Sequence, residues 1–583
     1  MRPFIAHFQL PMFQRTICVW LFASLSGQAG ADELQQLAAR GTEILKTHCY
    51  ACHGEKFNGS AQFNVMDTAG LKQHGYLIPE NPVESPMWQR VSAGEMPPED
   101  SGIPALTPDE QVILQQWIAA GGPQVQRPQR PFKPYSSVIR DIHADLMQAA
   151  RDDRPYYRYF TLTHLSNNYS QVSDFNMRLY RAGFCKTINS LSYEPDIYVP
   201  PFIDAEETIF RVDMRRLGWD FDTWKWLITK YPYGMHFHNG DDETLAGLDE
   251  QIDDLSGTHL CWMRADWFIN TATRPPIYDR FLKIPDQVDE LETRLNVNFA
   301  KNYRDNRIAR AGFATSGVSV GNRLVERHPA LHGYYWKSYD FKDKGASGNL
   351  FRLPLGPAFP TNDYPNLAFE HDGGEMIFSL PNGLQAYMLT DAVGKKIDSG
   401  PIEVVRDSKE TSGTPVVVNG LSCMHCHRHG MIDFQDTVRD GIGVFGEARR
   451  KVHNIYPESA EMARFVTGDR NRFMNAVGQA TAPFLQIGDD AQRNIDEFAE
   501  PIGAVARFYQ RDLTPETAAF ELGIESPAEV QNLVKYNKQL LQMGLGPLVN
   551  GQTIKRGDWE SQEAYVSPYQ ETMRIMGLAT PVN

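Results

Sequence analysis

The sequence predicts a mixed fold, with mostly α-helical domains at both ends of the chain flanking an α+β middle domain. Three observations predict it. Cys-x-x-Cys-His occurs twice, at Cys49–His53 and at Cys423–His427, towards the two ends of the chain. Between them, Thr208–Leu217 shows the two-residue alternation of a strand, and Glu375–Leu380 and Leu384–Leu389 flank an Asn-Gly turn as a hairpin. A stretch rich in proline and glycine, 121–134 (GGPQVQRPQRPFKP), separates the first helical part from the rest. The expected organisation is a signal peptide over 1–31, a first domain over 32–122, a linker over 123–136, an α+β domain over 137–415 and a second helical domain over 416–583.

Composition narrows the function classes. Of 583 residues, 42% are apolar and 11% aromatic, ample for buried cores, and 22% are charged, which excludes a largely disordered chain. The 57 basic and 72 acidic residues leave a net charge of −15, which speaks against a nucleic-acid binder and suits a cationic or neutral partner. No stretch beyond the N-terminus approaches the ~18–20 apolar residues of a membrane span, so no transmembrane anchor is expected after signal removal. Seven cysteines are too few for a disulfide scaffold of this length.

The N-terminus reads as an export signal. Met1–Arg15 contains Arg2 and Arg15 and no acid, Thr16–Leu25 is a short apolar core, and Ala29-Gly30-Ala31 is a small-residue cleavage site. An uncleaved anchor is the other reading. Cys18 has Arg15 three positions before it, which argues against a lipoprotein signal. The expected location is therefore periplasmic or otherwise exported. There the spare cysteines Cys185 and Cys261 suggest a disulfide, or else two separate buried thiols.

The two motifs carry the chemistry. Chance gives roughly 0.002 copies of C-x-x-C-H in such a chain. Residues three apart on a helical turn share a face, so two thiols so spaced can add to the two vinyl groups of one haem, and the next histidine can present its imidazole to the iron. A redox disulfide or half a zinc site would not need that histidine. Two covalently bound haem c groups, each with its iron, are expected, on Cys49, Cys52 and His53 and on Cys423, Cys426 and His427. For the first, Gly94-Glu95-Met96-Pro97-Pro98-Glu99 places Met96 on a proline-stiffened loop as the sixth ligand.

Around the first motif, Asp32–Thr47 predicts an amphipathic helix. Thr107-Pro108-Asp109-Glu110 is a capping box opening a helix through Val112, Ile113, Trp117 and Ile118, which Gly121-Gly122-Pro123 stops. With CYACHG, MWQRVSAGEMPPE and LTPDEQVILQQWIAAGGP in this order, residues 45–122 resemble the planctomycete-type cytochrome c domain. The resemblance implies that Cys49 and Cys52 bind haem covalently and that His53 and Met96 are its axial ligands. The second site resembles cytochromes through CMHCH alone. Met431, His425 and His429 lie too close to His427 to reach the opposite side of a haem, and His453, Met462 and Met474 are the candidates for a distal ligand. The two methionines fall in helical patterns that suit a core role. A ligand from the middle domain, or an open iron, is the remaining reading.

In the middle domain, Phe210, Val212 and Met214 alternate with Arg211, Asp213 and Arg215 as one strand, and Pro381-Asn382-Gly383 turns a hairpin. Helical segments follow Asp222 and Asp286, and His371-Asp372-Gly373-Gly374-Glu375 reads as a tight polar turn entering the hairpin. Further helices start at Thr514-Pro515-Glu516 and at the capping box Ser526-Pro527-Ala528-Glu529. Gly317–Gly321 fits G-x-S-x-G without the strand a nucleophile elbow needs, and Gly441–Gly446 fits G-x-G-x-x-G without a βαβ context. The pairs His236/His238 and His328/His332 are metal candidates that more often are satisfied histidines.

The leading expectation is an exported dihaem c-type cytochrome acting in periplasmic electron transfer with redox protein partners. Two alternatives stand beside it. One is a dihaem, peroxidase-like oxidoreductase with an open second haem. That family's motifs are compactly spaced, unlike those of this chain. The other is a redox-linked binding protein whose middle domain uses its aromatic runs, Tyr156–Phe160 and Trp219–Trp226, in a ligand groove; a closed core would count against it.

Overall fold

The computed structural model describes residues 33–53, 65–66, 68–98, 101, 103–124, 130–238, 243–314, 321–342, 349–562 and 566–582. The expected signal peptide and Gly317–Val320 lie outside the described residues. Contacts divide the chain into two compact units, 1–129 and 130–583. Among the described residues no helix is long and apolar enough to cross a membrane.

The smaller unit is helical. Helix α1 spans 33–48, α2 is Tyr50–His53, α3 is Pro86–Ser92 and α4 is Pro108–Ala119. The expected capping box opens α4: the Thr107 side chain accepts the Glu110 N–H, and the Glu110 carboxylate accepts the Thr107 N–H at 2.7 Å. Gly121 and Gly122 end the segment at φ 78° and 62°, a backbone that favours glycine. Gly41 lets α1 lie against α4, because a Cβ there would stand 2.3 Å from the Trp117 ring. Ile44, Leu45, Val91, Leu114, Trp117 and Ile118 are buried together as the core of this unit.

The larger unit combines helices with two main sheets. Strand β1 (Tyr157–Thr161) pairs antiparallel with β2 (Ile209–Asp213) and parallel with β3 (Trp262–Arg264). Helix α5, Asp174–Ser190, follows β1 in the chain. The second sheet is a six-stranded antiparallel meander in chain order: β4 (Ala309–Phe313), β5 (Arg323–Ala330), β6 (Gly333–Asp340), β7 (Gly373–Ser379), β8 (Gln385–Asp391) and β9 (Lys396–Ile397). The hairpin expected around Asn382-Gly383 joins β7 to β8, with Gly383 at φ 92°. Beyond it come α6 (Leu421–Cys426), α7 (Ser459–Leu485) and α8 (Pro501–Tyr509).

Residues 137–415 and 416–583, expected as separate domains, fold as one unit. The reason is α5, buried along most of its length and packed by both α7 and α8. Gly183 of α5 sits against Pro501 and Val505, where a Cβ would meet the Pro501 carbonyl oxygen at 3.3 Å. Lys186 of α5 donates to Glu500, which caps α8, at 2.8 Å, both side chains almost free of solvent.

Several local expectations shift. Strand β2 ends at Asp213 because Met214–Leu217 turns as a 3₁₀ helix, although Phe210, Val212 and Met214 are buried as expected. The helix Phe221–Ile228 is capped by Asp220, while Ser526 makes no capping bond before the helix Pro527–Tyr536. Cys185 and Cys261 are free thiols buried separately, and burial raises both. Tyr159, Phe160, Trp219 and Trp224 of the aromatic runs lie in the packed core, which counts against the expected ligand groove.

Glu500→Ala leaves the Lys186 ammonium buried without its partner and uncaps α8. The expected loss is about 3–5 kcal/mol in a denaturant melt of the full chain. Lys186→Met, which replaces the charge by apolar volume, should cost clearly less.

Candidate functional site

In the smaller unit, the first motif is one turn continuing α1. The N–H of Cys49 reaches the Leu45 carbonyl, and those of Cys52 and His53 reach the Cys49 carbonyl at 3.2 and 2.9 Å. This turn puts Cys49, Cys52 and His53 side by side, as the spacing requires. Cys49 and Met96 both pack, half-buried, on the core formed by Leu45, Val91 and Trp117. The loop carrying Met96 leaves α3 through backbone bonds from Glu95 and Met96 to the Arg90 carbonyl. His48, which sequence reasoning passed over, locks the motif in place. Its ring is buried, with Nδ1 2.8 Å from the Pro104 carbonyl oxygen and Nε2 3.2 Å from the Glu110 carboxylate of the capping box. Burial lowers the His53 imidazole below its ordinary value, which favours the neutral form that can bind a metal.

The second motif lies on the wall of a cavity of about 710 Å³ in the larger unit. Cys423 and Cys426 belong to α6, and His427 follows it. Three supports hold α6. Gly420 precedes it at φ 78°, where a Cβ would stand 2.4 Å from the Thr273 carbonyl oxygen. The Ser422 hydroxyl donates to Asp407 at 3.1 Å. His425 lies over Gly503 of α8, 3.9 Å from the Glu500 carboxylate. The Nδ1–H of His427 donates to the Gly430 carbonyl at 3.2 Å, the arrangement that fixes a metal-binding imidazole and leaves its Nε2 as the acceptor.

The facing wall is one side of the meander. Side chains alternate along a strand, so the register places Phe313, Arg323, Val325, Asp340, Glu375 and Leu389 on the same side. All six line the cavity. Val404, Val405, Val417, Ile432 and Phe434 make much of the remaining wall apolar. The Tyr387 ring lies 6.1 Å from that of His427. Glu375 Oε2 is 3.8 Å from His427 Nε2, and Arg323 pairs with Asp340 at 2.6 Å. Burial alone would raise the Glu375 carboxyl, but His427 and Arg323 outweigh it and hold it at about 2. Burial pushes the Cys426 thiol up to about 12, and burial with the nearby Glu375 raises Cys423 as well.

The donor set fits a haem at both places. Each motif offers two thiols on one turn and an imidazole, and the second faces a cavity of cofactor size with largely apolar walls. Residues 49–100 match the family model of planctomycete cytochrome C. This segment is that of a c-type cytochrome. The cytochrome match implies covalently bound haem c and haem-based electron transfer, and it covers the motif and the loop as far as Met96. A cytochrome-like domain is indicated only here, and the second one expected over 416–583 is instead part of the larger unit. No curated protein and no solved structure matches the chain.

The remaining candidates fall elsewhere. Met431 is on the cavity wall, four residues past His427, whereas His453, Met462 and Met474 are not among the lining residues. Met462 is buried and Met474 packs on the same core, as their helical pattern suggested. His328 is held by Glu326 at 2.6 Å and Asn302 at 3.2 Å, and His236 by Asp249 at 3.1 Å. Among the described residues no group of three or more His, Cys, Asp or Glu side chains is placed to hold a metal ion. Glu375 was legible as the end of a polar turn and the start of a hairpin strand, not as a site residue; its strand register, read out from the Asn382-Gly383 hairpin, is the signal that places it.

Gly420→Ala should destabilise the chain by about 2 kcal/mol or more, through the positive φ and the clash with Thr273. A thermal melt of the full chain checks this, with Gly557→Ala as a control position where a Cβ meets nothing within 4 Å.

Proposed function

We propose that the chain is an exported, periplasmic dihaem c-type cytochrome that transfers electrons between redox proteins. The observation that carries the reading is the cavity whose wall holds both thiols and the imidazole of the second motif. Cys49 and Cys52 would fix one haem, with His53 and Met96 as axial ligands; Cys423, Cys426 and His427 would hold the other. When bound, each haem supplies one-electron chemistry between ferric and ferrous iron. The protein's part is to hold and orient. The Gly430 carbonyl would set the His427 ring, and α6, held through Ser422 on Asp407 and His425 over Gly503, would present the two thiols. The net charge of −15 suits a cationic redox partner.

One observation favours the second reading, a peroxidase-like dihaem oxidoreductase. Among the described lining residues, His427 and Met431 are the only imidazole and thioether, and both come from one side of the cavity.

Alkaline pyridine spectroscopy of the purified protein should give two haems per chain, and one after Cys423→Ser with Cys426→Ser. One haem in the unaltered protein would overturn the dihaem reading. The fully reduced protein should stay reduced when peroxide is added. Rapid oxidation of both haems, with peroxide reduced to water, would replace the carrier by the enzyme.

A further inference from the structure

We propose that Glu375 is the sixth ligand of the iron held by His427, an inference that rests on the dihaem reading. A histidine binds metal through the ring nitrogen not otherwise engaged. His427 Nδ1 is committed to the Gly430 carbonyl, so Nε2 is the ligating atom. Next to Nε2 on the cavity lining is the Glu375 carboxylate, with Oε2 at 3.8 Å. Two donor atoms each about 2 Å from one ion, on opposite sides of it, stand about 4 Å apart. The separation is that of a pair of trans ligands.

The position of Glu375 is rigid. Strand β7 is paired on both sides, by β6 and β8, and the Glu375 N–H donates to the Ser338 hydroxyl at 2.9 Å. A one-residue slip would turn its side chain to the other face, and the continuous antiparallel register forbids it. The carboxylate is held in the motif itself, beside His427 and the Cys423 thiol, while Arg323 on the same wall is paired with Asp340. The one thioether on the described lining, Met431, comes from the loop that carries His427. The sheet supplies neither imidazole nor thioether to the lining, and Glu375 is the group it sets opposite Nε2.

The ligand chemistry has a consequence. An anionic oxygen donor is weak-field and favours ferric over ferrous iron, whereas methionine raises the potential. The His427/Glu375 iron is therefore high-spin and the lower-potential centre, and the His53/Met96 iron is low-spin and the higher.

The test uses the full-length holoprotein, its Glu375→His and Glu375→Gln variants, a haem count for each, low-temperature EPR of the ferric state and a spectroscopic redox titration. The unaltered protein should show one low-spin and one high-spin haem. Glu375→His should convert the high-spin signal to low-spin and leave the other unchanged. Glu375→Gln should raise the potential of the lower centre alone. Two low-spin signals in the unaltered protein, or a high-spin signal that Glu375→His leaves as it was, would overturn the assignment. Should Glu375→His not fold, an unchanged lower potential in Glu375→Gln would overturn it equally. A count of one haem in the unaltered protein would instead overturn the dihaem reading on which the inference stands.

Discussion

Glu500 has to satisfy two carboxylate oxygens away from water, and it draws partners from three parts of the chain. One oxygen takes the Lys186 ammonium of α5 and the N–H of Ile502, and the other takes the N–H of Gly503 and faces His425 of the second motif. Burial raises this carboxyl, and Lys186 and His425 more than offset it, so it stays ionised. A buried charge tolerates its position only with such partners. The middle of the chain, the C-terminal helices and the helix of the second motif therefore fold as one unit.

The two motifs are solved differently by their surroundings. The first sits in a small helical core, where His48 ties it to the capping box of α4 and a loop brings Met96 to the same cluster. The second borrows its opposite wall from a sheet that lies earlier in the chain. A strand offers every second side chain to one face, so that wall is set by register and mixes Val325 and Leu389 with Arg323, Asp340 and Glu375. A loop can place a soft thioether against iron, whereas this sheet offers an acid.

Legibility followed the range of the interaction. The helix of Thr107–Ala119, the hairpin at Asn382-Gly383 and the core role of Met462 are local patterns, and the structure has them. That the chain folds as one unit across residue 415 was not legible, because α5 and Glu500 meet across more than three hundred residues. Ser526-Pro527-Ala528-Glu529 has the letters of a capping box, yet the Ser526 side chain makes no bond there.

By itself the sequence determined the chemistry of attachment. Three residues within one helical turn set the spacing of two thiols and an imidazole, and no tertiary contact is needed to read it. It also determined the small N-terminal domain, whose helix signals, motif and methionine loop fall within ninety residues. What faces His427 was decided by tertiary structure alone. The Glu375 carboxylate reaches it only after a six-stranded register is fixed and α6 is pinned over Gly503, and long-range pairing of that kind leaves no local pattern in the chain.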